Sequence, residues 1–421
     1  MADVQPLRAL RYDLARAGDL TAVTAPPYDV IDAEQRTALL AGSPHNVVEI
    51  DLPEGPEPYE HAAATLAAWR AEGVVVQDDE PALWALAQDY TGPDGRARTR
   101  HGIFARVRVE NYGPGRVRPH ERTHPGPKED RLRLTRATRA NLSPIFSLYD
   151  DPAGAAWAAV EPVLAEPPHG ETTDPDGTRH RLWRVGDPDA IAAVHGALER
   201  TELLIADGHH RYETARVYAQ ERDGGEGAHT YVLMCLVALQ DPGLTIFPTH
   251  RLVRGLESAR QEALAATLRE HFDNEEIEHA ALRPPDAPEG APCELGYIDA
   301  HCKRAFRRTL RDPGVADALL ADRPPAYRRL DTAILEALIL KGPLALSDDD
   351  ISHLHGLGYS RTDAEALELV LSGDYDAAFF LRPSPVSQVR EIAAAGETMP
   401  PKSTYFFPKV LTGMLFNPLD D

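Results

Sequence analysis

The stretch Glu202–Glu221, ELLIADGHHRYETARVYAQE, decides how this chain is read. Leu203, Leu204, Ile205 and Ala206 form a short apolar run that fits a buried strand. From Tyr212 onward, Ala215, Val217, Tyr218 and Ala219 mark one face of a helix. Between them stand Asp207, Gly208, His209, His210 and Arg211, so the pattern predicts a strand, a tight polar turn and a helix. The first backbone N–H groups of a helix have no partner within it, and its dipole favours negative charge at that end. Such a start is a ready phosphate site, and a glycine lets the backbone approach closely. Arg211 adds a planar fork of donors, and His209 and His210 add ring N–H groups. Asp207 is the odd member, because a carboxylate repels a phosphate. It either orients a neighbouring side chain or accepts a proton from a hydroxyl attacking that phosphate. The alternative is that Asp207 merely caps the helix, but five polar or special residues in a row exceed what a cap requires.

Outward from this turn, helical and strand patterns interleave. Glu57–Glu72 has Ala and Leu at helical spacing and stops at Gly73, and Asp187–Leu198, Glu257–Phe272, Asp331–Leu340 and Arg361–Leu371 also read as helices. Arg98–Glu110 alternates as a half-buried strand does, and Tyr231–Leu239 is apolar without a break, as in a strand covered on both faces. Ala25–Ile31 is a stiff turn leading into a helix, and Asn46–Pro53 reads as a strand with Glu49 and Asp51 on one face. Glu166–Thr178 looks like an exposed connection. Interleaving of this kind predicts an α/β or α+β chain with a mixed sheet and flanking helices. Arg283–Pro292 (RPPDAPEGAP) is the best candidate linker or long surface loop, and marks where residues 1–282 and 293–421 would divide if what otherwise reads as one domain over 1–421 has a sub-division.

Composition narrows the function. The chain has 421 residues and a net charge of −22, which argues against nucleic acid held by general backbone attraction. Three cysteines fit neither a disulfide framework nor a C-x-x-C zinc site. No run of 18 apolar residues and no leader pattern is visible, so the expectation is a cytoplasmic protein with no membrane partner. The histidine pairs His120/His124 and His353/His355 are weak metal signals without a helical H-E-x-x-H, and no zinc is expected. No Walker-type glycine loop occurs either, so any nucleotide binds by another route.

Two further constellations bear on an anion site. Arg122, His124, Lys128 and Arg131 gather within ten residues of a strongly acidic chain, which is either a focused anion site or a solvated loop. Lys402, Ser403 and Thr404, in MPPKSTYFFPK, offer further phosphate donors, or flank an edge strand. Glu49 and Asp51 are paired carboxylates suited to a substrate amine or to magnesium, or they form the polar face of an edge strand.

The segments PPYDVI, NVVEIDLP, RTHPGPKEDR, NLSPIF, ADGHHRYETA, FPTHR and MPPKSTYFFPK, taken in order from about Ala25 to Gly413, resemble domain-of-unknown-function family 1015. Some members of that family are described as free serine kinases, which implies a phosphotransferase making O-phosphoserine from ATP, ADP or pyrophosphate, with Mg2+. The Asp-Gly-His-His-Arg turn is also similar to the phosphate-binding turn of the ParB and sulfiredoxin superfamily, which implies a core of that kind with large additions. By that similarity Gly208, His209, His210 and Arg211 hold donor phosphates and Asp207 is the base or orients the serine hydroxyl. Arg122, His124, Lys128, Lys402 and Ser403 would join them if the fold brings the segments together, with His210 and Glu49 as further catalytic candidates. The turn lacks the cysteine of sulfiredoxin, which removes sulfinic-acid repair. Rival implications are a ParB-like nucleotide-binding regulator without turnover and a phosphatase. The expected partners are a small-molecule substrate and a second copy of the chain.

Overall fold

The computed structural model describes residues 2–92, 94–121, 125–222, 225–288 and 290–420. The chain forms two compact units: Met1–Pro119, Thr123–Thr245 and Pro408–Asp421 make the first, and His120–Arg122 with Ile246–Phe407 make the second.

The first unit is built on a nine-stranded mixed sheet. Its strands run Val117–Arg118, Leu203–Asp207, Ile145–Tyr149, Tyr231–Ala238, Ala97–Arg108, Leu83–Thr91, Arg179–Val185 and Gly170–Thr173, with Val4–Gln5 added against Ala97–Arg108. Tyr231–Ala238 lies parallel to Ile145–Tyr149 and antiparallel to Ala97–Arg108. Its unbroken apolar sequence follows from that central place, since both faces are covered. On one face Ile103, Ile145, Ile205 and Met234 pack with Val194 and Leu198 of the helix Pro188–Leu198 and with Tyr212 and Ala215 of the helix His209–Glu221. Ile205 has no exposed surface, and truncating such a side chain to Ala costs about 2–5 kcal/mol.

A second apolar cluster holds the N-terminal region, with Leu10, Val47, Ile50, Leu66 and Trp69 packed against Leu134 and Phe416. The helix Pro58–Ala71 presents Ala62, Leu66 and Trp69 to it, as the helical spacing predicts. The C-terminal segment returns to this unit: Ala25 bridges to Thr412 and Leu10 to Phe416, and Asn417–Pro418 pairs with Ala140–Asn141.

Two readings of the sequence need correction, and the alternatives left at residues 283–292 are resolved. Asn46–Pro53 is not a strand: Val48–Asp51 is a short helix. Asn46 Oδ1 accepts from the Val48 N–H while its amide donates to Ala22 O and Thr24 O, which fixes a turn that alternation could not reveal. Glu166–Thr178 is not wholly irregular, since Gly170–Thr173 pairs as the edge strand of the sheet. Residues 283–292 lie inside the second unit, because the strands on either side of them, Phe272–Ile277 and Glu294–Asp299, both pair with Ala305–Leu310.

The second unit carries a six-stranded antiparallel sheet in the order Phe272–Ile277, Ala305–Leu310, Glu294–Asp299, Ala377–Phe380, His250–Val253, Leu357–Ser360. The helices Ser258–His271, Asp363–Ser372 and Asp331–Leu335 belong to it. Among the described residues no helix is long and apolar enough to cross a membrane.

Candidate functional site

The site begins where the strand Leu203–Asp207 ends. Its register against Ile145–Tyr149 shifts between Ile205 and Asp207, and a bulge of this kind bends a strand and re-aims the side chain beyond it. Gly208 follows with φ +94°. A Cβ there would lie 3.1 Å from Arg211 Nε and 3.3 Å from Ile145 Cα, so dihedral and space both call for glycine. The helix His209–Glu221 then starts with no side-chain cap and no acidic residue in its first turn. Its positive end is therefore not neutralised from within that turn.

Asp207 Oδ2 accepts a 2.8 Å hydrogen bond from Lys409 Nζ, and Oδ1 accepts one of 2.8 Å from the Gly208 N–H. Arg211 Nη2 stands 3.8 Å from Oδ1. Burial works to raise the Asp207 pKa, but the Lys409 ammonium and the Arg211 guanidinium outweigh it and hold the carboxyl below its ordinary range. Asp207 is thus a firmly ionised carboxylate between two cations. That makes it a weak proton acceptor and a good orienting group.

Beside Arg211 opens a cavity of about 40 Å³ lined by Asp51, Arg131, Ser143, Arg211 and Thr214. At roughly 10–15 Å³ for one water, it has room for a few waters or a small polar group. Arg211 Nη1 donates to Pro144 O, while Arg211 Nε and the buried Thr214 Oγ1 have no partner among the described residues. Asp51 lies 3.3 Å from Arg131 Nη1, and its Oδ2 accepts from the Ser143 hydroxyl at 3.1 Å. Burial pushes the Asp51 carboxyl up against the opposing pull of Arg131 and Arg211. The Arg131 guanidinium stacks 4.4 Å over the Tyr28 ring, whose hydroxyl burial pushes up to about 12.

The first unit thus brings together residues from five separate motifs: Tyr28, Asp51, Arg131, Ser143 with Pro144, and the Asp207–Arg211 turn, joined by Lys409 from the last part of a sixth. His209 is buried and His210 half-buried in the first turn of the helix. Lys128 is half-buried in the first turn of the helix Pro125–Thr138. Arg122 and His124 lie outside the described residues. Glu49 hydrogen-bonds to His61 Nε2 at 2.7 Å, and the helical turn it occupies directs it away from Asp51 rather than alongside it. Lys402 and Ser403 belong to the second unit. There the Ser403 hydroxyl donates to Pro400 O at 2.7 Å and meets Thr332 Oγ1 at 3.1 Å, and exposed Lys402 has φ +55°.

Sequence reasoning passed over Lys409. Pro401-Lys402 and Pro408-Lys409 look alike in the chain, and only the return of the C-terminal segment to the first sheet distinguishes them. Among the described residues no group of three or more His, Cys, Asp or Glu could hold a metal ion.

No curated protein sequence matches the chain. Several solved structures are similar at low identity. A free serine kinase in complex with AMP is 14% identical with a TM-score of 0.36, covering 72% of this chain and 86% of that one. A free serine kinase variant in complex with ADP is 13% identical with a TM-score of 0.37, covering 72% and 87%. SbnI with a C-terminal truncation, from Staphylococcus aureus, is 11% identical with a TM-score of 0.36, covering 73% and 85%. At these values the likeness transfers no residue roles. The sequence pattern of the family described as "Protein of unknown function (DUF1015)" matches residues 4–333. With that match spanning most of its length, the chain belongs to the DUF1015 family.

Proposed function

We propose that this protein is a phosphotransferase that moves a phosphoryl group from ATP, ADP or pyrophosphate to the hydroxyl of free serine or a similar small compound. The observation that carries the reading is Asp207, pinned as an anion by Lys409 and Arg211 at the start of a helix whose first turn holds no acid. Donor phosphates lie at that helix start, met by the Gly208 turn, His209, His210 and Arg211. The cavity takes only one polar end of the acceptor, its carboxylate, which meets the unpartnered Arg211 Nε and Thr214 hydroxyl.

The acceptor oxygen attacks the terminal phosphorus, the bond to the leaving phosphate breaks, and the hydroxyl proton passes to solvent past Asp207. Such a transfer needs positioning and charge more than covalent help from the protein. Asp207 accepts a hydrogen bond from the acceptor hydroxyl and aims it. Mg2+ accompanying the donor is usually held by phosphates and one or two carboxylates, so it does not require a three-ligand cluster of the protein's own. Glu49 is not assigned to that role, since it bonds to His61 and its turn directs it away from Asp51.

Purified protein with serine, Mg2+ and each donor in turn should yield phosphoserine, and Asp207→Ala should abolish it. Nucleotide binding without phosphoserine would replace this reading with a ParB-like regulatory one, and phosphate release from phosphoserine alone would replace it with a phosphatase.

A further inference from the structure

We propose that a buried relay of Arg100, Gln88 and His180 sets Lys409 against Asp207, with Gln88 as a positioning residue for the phosphate site. The kinetic part of this inference rests on the phosphotransferase reading; the structural part does not.

Arg100, on the strand Ala97–Arg108, has no exposed surface. It stacks 4.4 Å over the Phe146 ring and donates through Nε, at 3.0 Å, and through Nη2 to Gln88 Oε1. Its Nη1 has no partner, and among the described residues no carboxylate pairs with it. Burial lowers its pKa only to about 10, so it stays a cation at neutral pH. A buried, unpaired guanidinium is costly to keep, and the role of its neighbour gives a reason for keeping it.

Arginine can only donate, so the Gln88 oxygen must face Arg100 and its NH2 must face the other way. That NH2 donates to Lys409 O at 2.9 Å and to His180 Nδ1 at 3.1 Å. Every hydrogen-bonding position of the amide is then used, and a flip would break all of them. His180 Nδ1 must be the acceptor, which leaves its Nε2–H to donate to Asp174 Oδ2 at 2.8 Å. His180 is fully buried and its pKa is lowered, which favours the neutral ring this arrangement requires. From Arg100 outward each orientation is forced, and the last one grips the backbone of the residue whose ammonium holds Asp207.

The test compares Gln88→Met with wild type in the full chain. Carboxyl-selective NMR follows the Asp207 titration, and phosphoserine formation gives kcat and KM. In wild type Asp207 should titrate below the ordinary carboxylate range, held there by Lys409 and Arg211. Gln88→Met should raise its pKa by a unit or more, a tenfold change in proton affinity, and should lower kcat by about 10–100-fold with a smaller change in KM for serine, the scale of a misplaced catalytic constellation. Thr230→Val breaks a different hydrogen bond of the same unit, Thr230 Oγ1 to Gly227 O at 2.8 Å, and should leave both readouts unchanged. If Gln88→Met does not fold, Arg100→Lys carries the test: it keeps the charge, loses the fork on Gln88, and should shift Asp207 in the same direction. An unmoved Asp207 in the folded variant, or an equal shift in Thr230→Val, overturns the relay. A wild type that makes no phosphoserine defeats the phosphotransferase reading, while the titration still decides the relay.

Discussion

Replacing Lys409 by Met probes the site through stability before any substrate is known. The ammonium and the Asp207 carboxylate are 2.8 Å apart, with 16% and 18% of their side chains exposed. At an effective dielectric of about 20, that separation corresponds to a Coulomb attraction of about 6 kcal/mol. Desolvation of both groups offsets part of it, and breaking such pairs typically costs about 3–5 kcal/mol. Arg211 remains 3.8 Å from the carboxylate and softens the loss, so Lys409→Met should destabilise the first unit by about 3 kcal/mol at pH 7. The sign of the pH dependence follows from the lowered pKa of Asp207. A carboxyl depressed by folding contributes stability above its unfolded pKa, near 3.9, and loses it as pH falls through the folded value. In the variant the folded pKa moves up, so the gap between the two proteins is full at pH 7 and narrows as pH falls through the carboxyl range. All four tryptophans, Trp69, Trp84, Trp157 and Trp183, lie in the first unit, so urea unfolding followed by tryptophan fluorescence at pH 7 and pH 3.5 reads the right part of the chain. Equal stability at pH 7, or a deficit that does not shrink at pH 3.5, would refute the reasoning.

Other perturbations separate the parts of the site. Gly208→Ala places a Cβ at φ +94° against Arg211 and Ile145; it should cost about 1–2 kcal/mol from the left-handed backbone alone and weaken pyrophosphate binding measured by calorimetry. Arg131→Met strands the Asp51 carboxylate, the two side chains being 7% and 6% exposed; urea unfolding should show a loss of about 3–5 kcal/mol, partly recovered by adding Asp51→Asn. Thr214→Val removes a hydroxyl that has no partner, so stability should stay within about 1 kcal/mol of wild type while KM for serine rises.

The local parts of this architecture were legible, and the long-range ones were not. Leu203–Asp207, Gly208 and His209–Glu221 are adjacent in sequence, so apolar run, glycine and helical period together predict strand, turn and helix. Pro58–Ala71, Pro188–Leu198 and Tyr231–Ala238 were readable for the same reason. Asn46–Pro53 misled because its residues alternate, while the bonds from Asn46 to Ala22 and Thr24 that make it helical come from 22 to 24 residues earlier. That one error put Glu49 beside Asp51, whereas in the structure Glu49 meets His61 and Asp51 meets Arg131 and Ser143. Lys409 reaches Asp207 across 202 positions of sequence, a separation over which no periodicity carries information.

The most direct test of the central claim is transfer of a labelled terminal phosphoryl group to free serine, read as phosphoserine by mass spectrometry, with ATP, ADP and pyrophosphate tried separately in the presence of Mg2+. Phosphoserine that appears with wild type and is lost with Asp207→Ala is the predicted result. Wild-type protein that binds none of the three donors and forms no phosphoserine, or an Asp207→Ala variant as active as wild type, would contradict it.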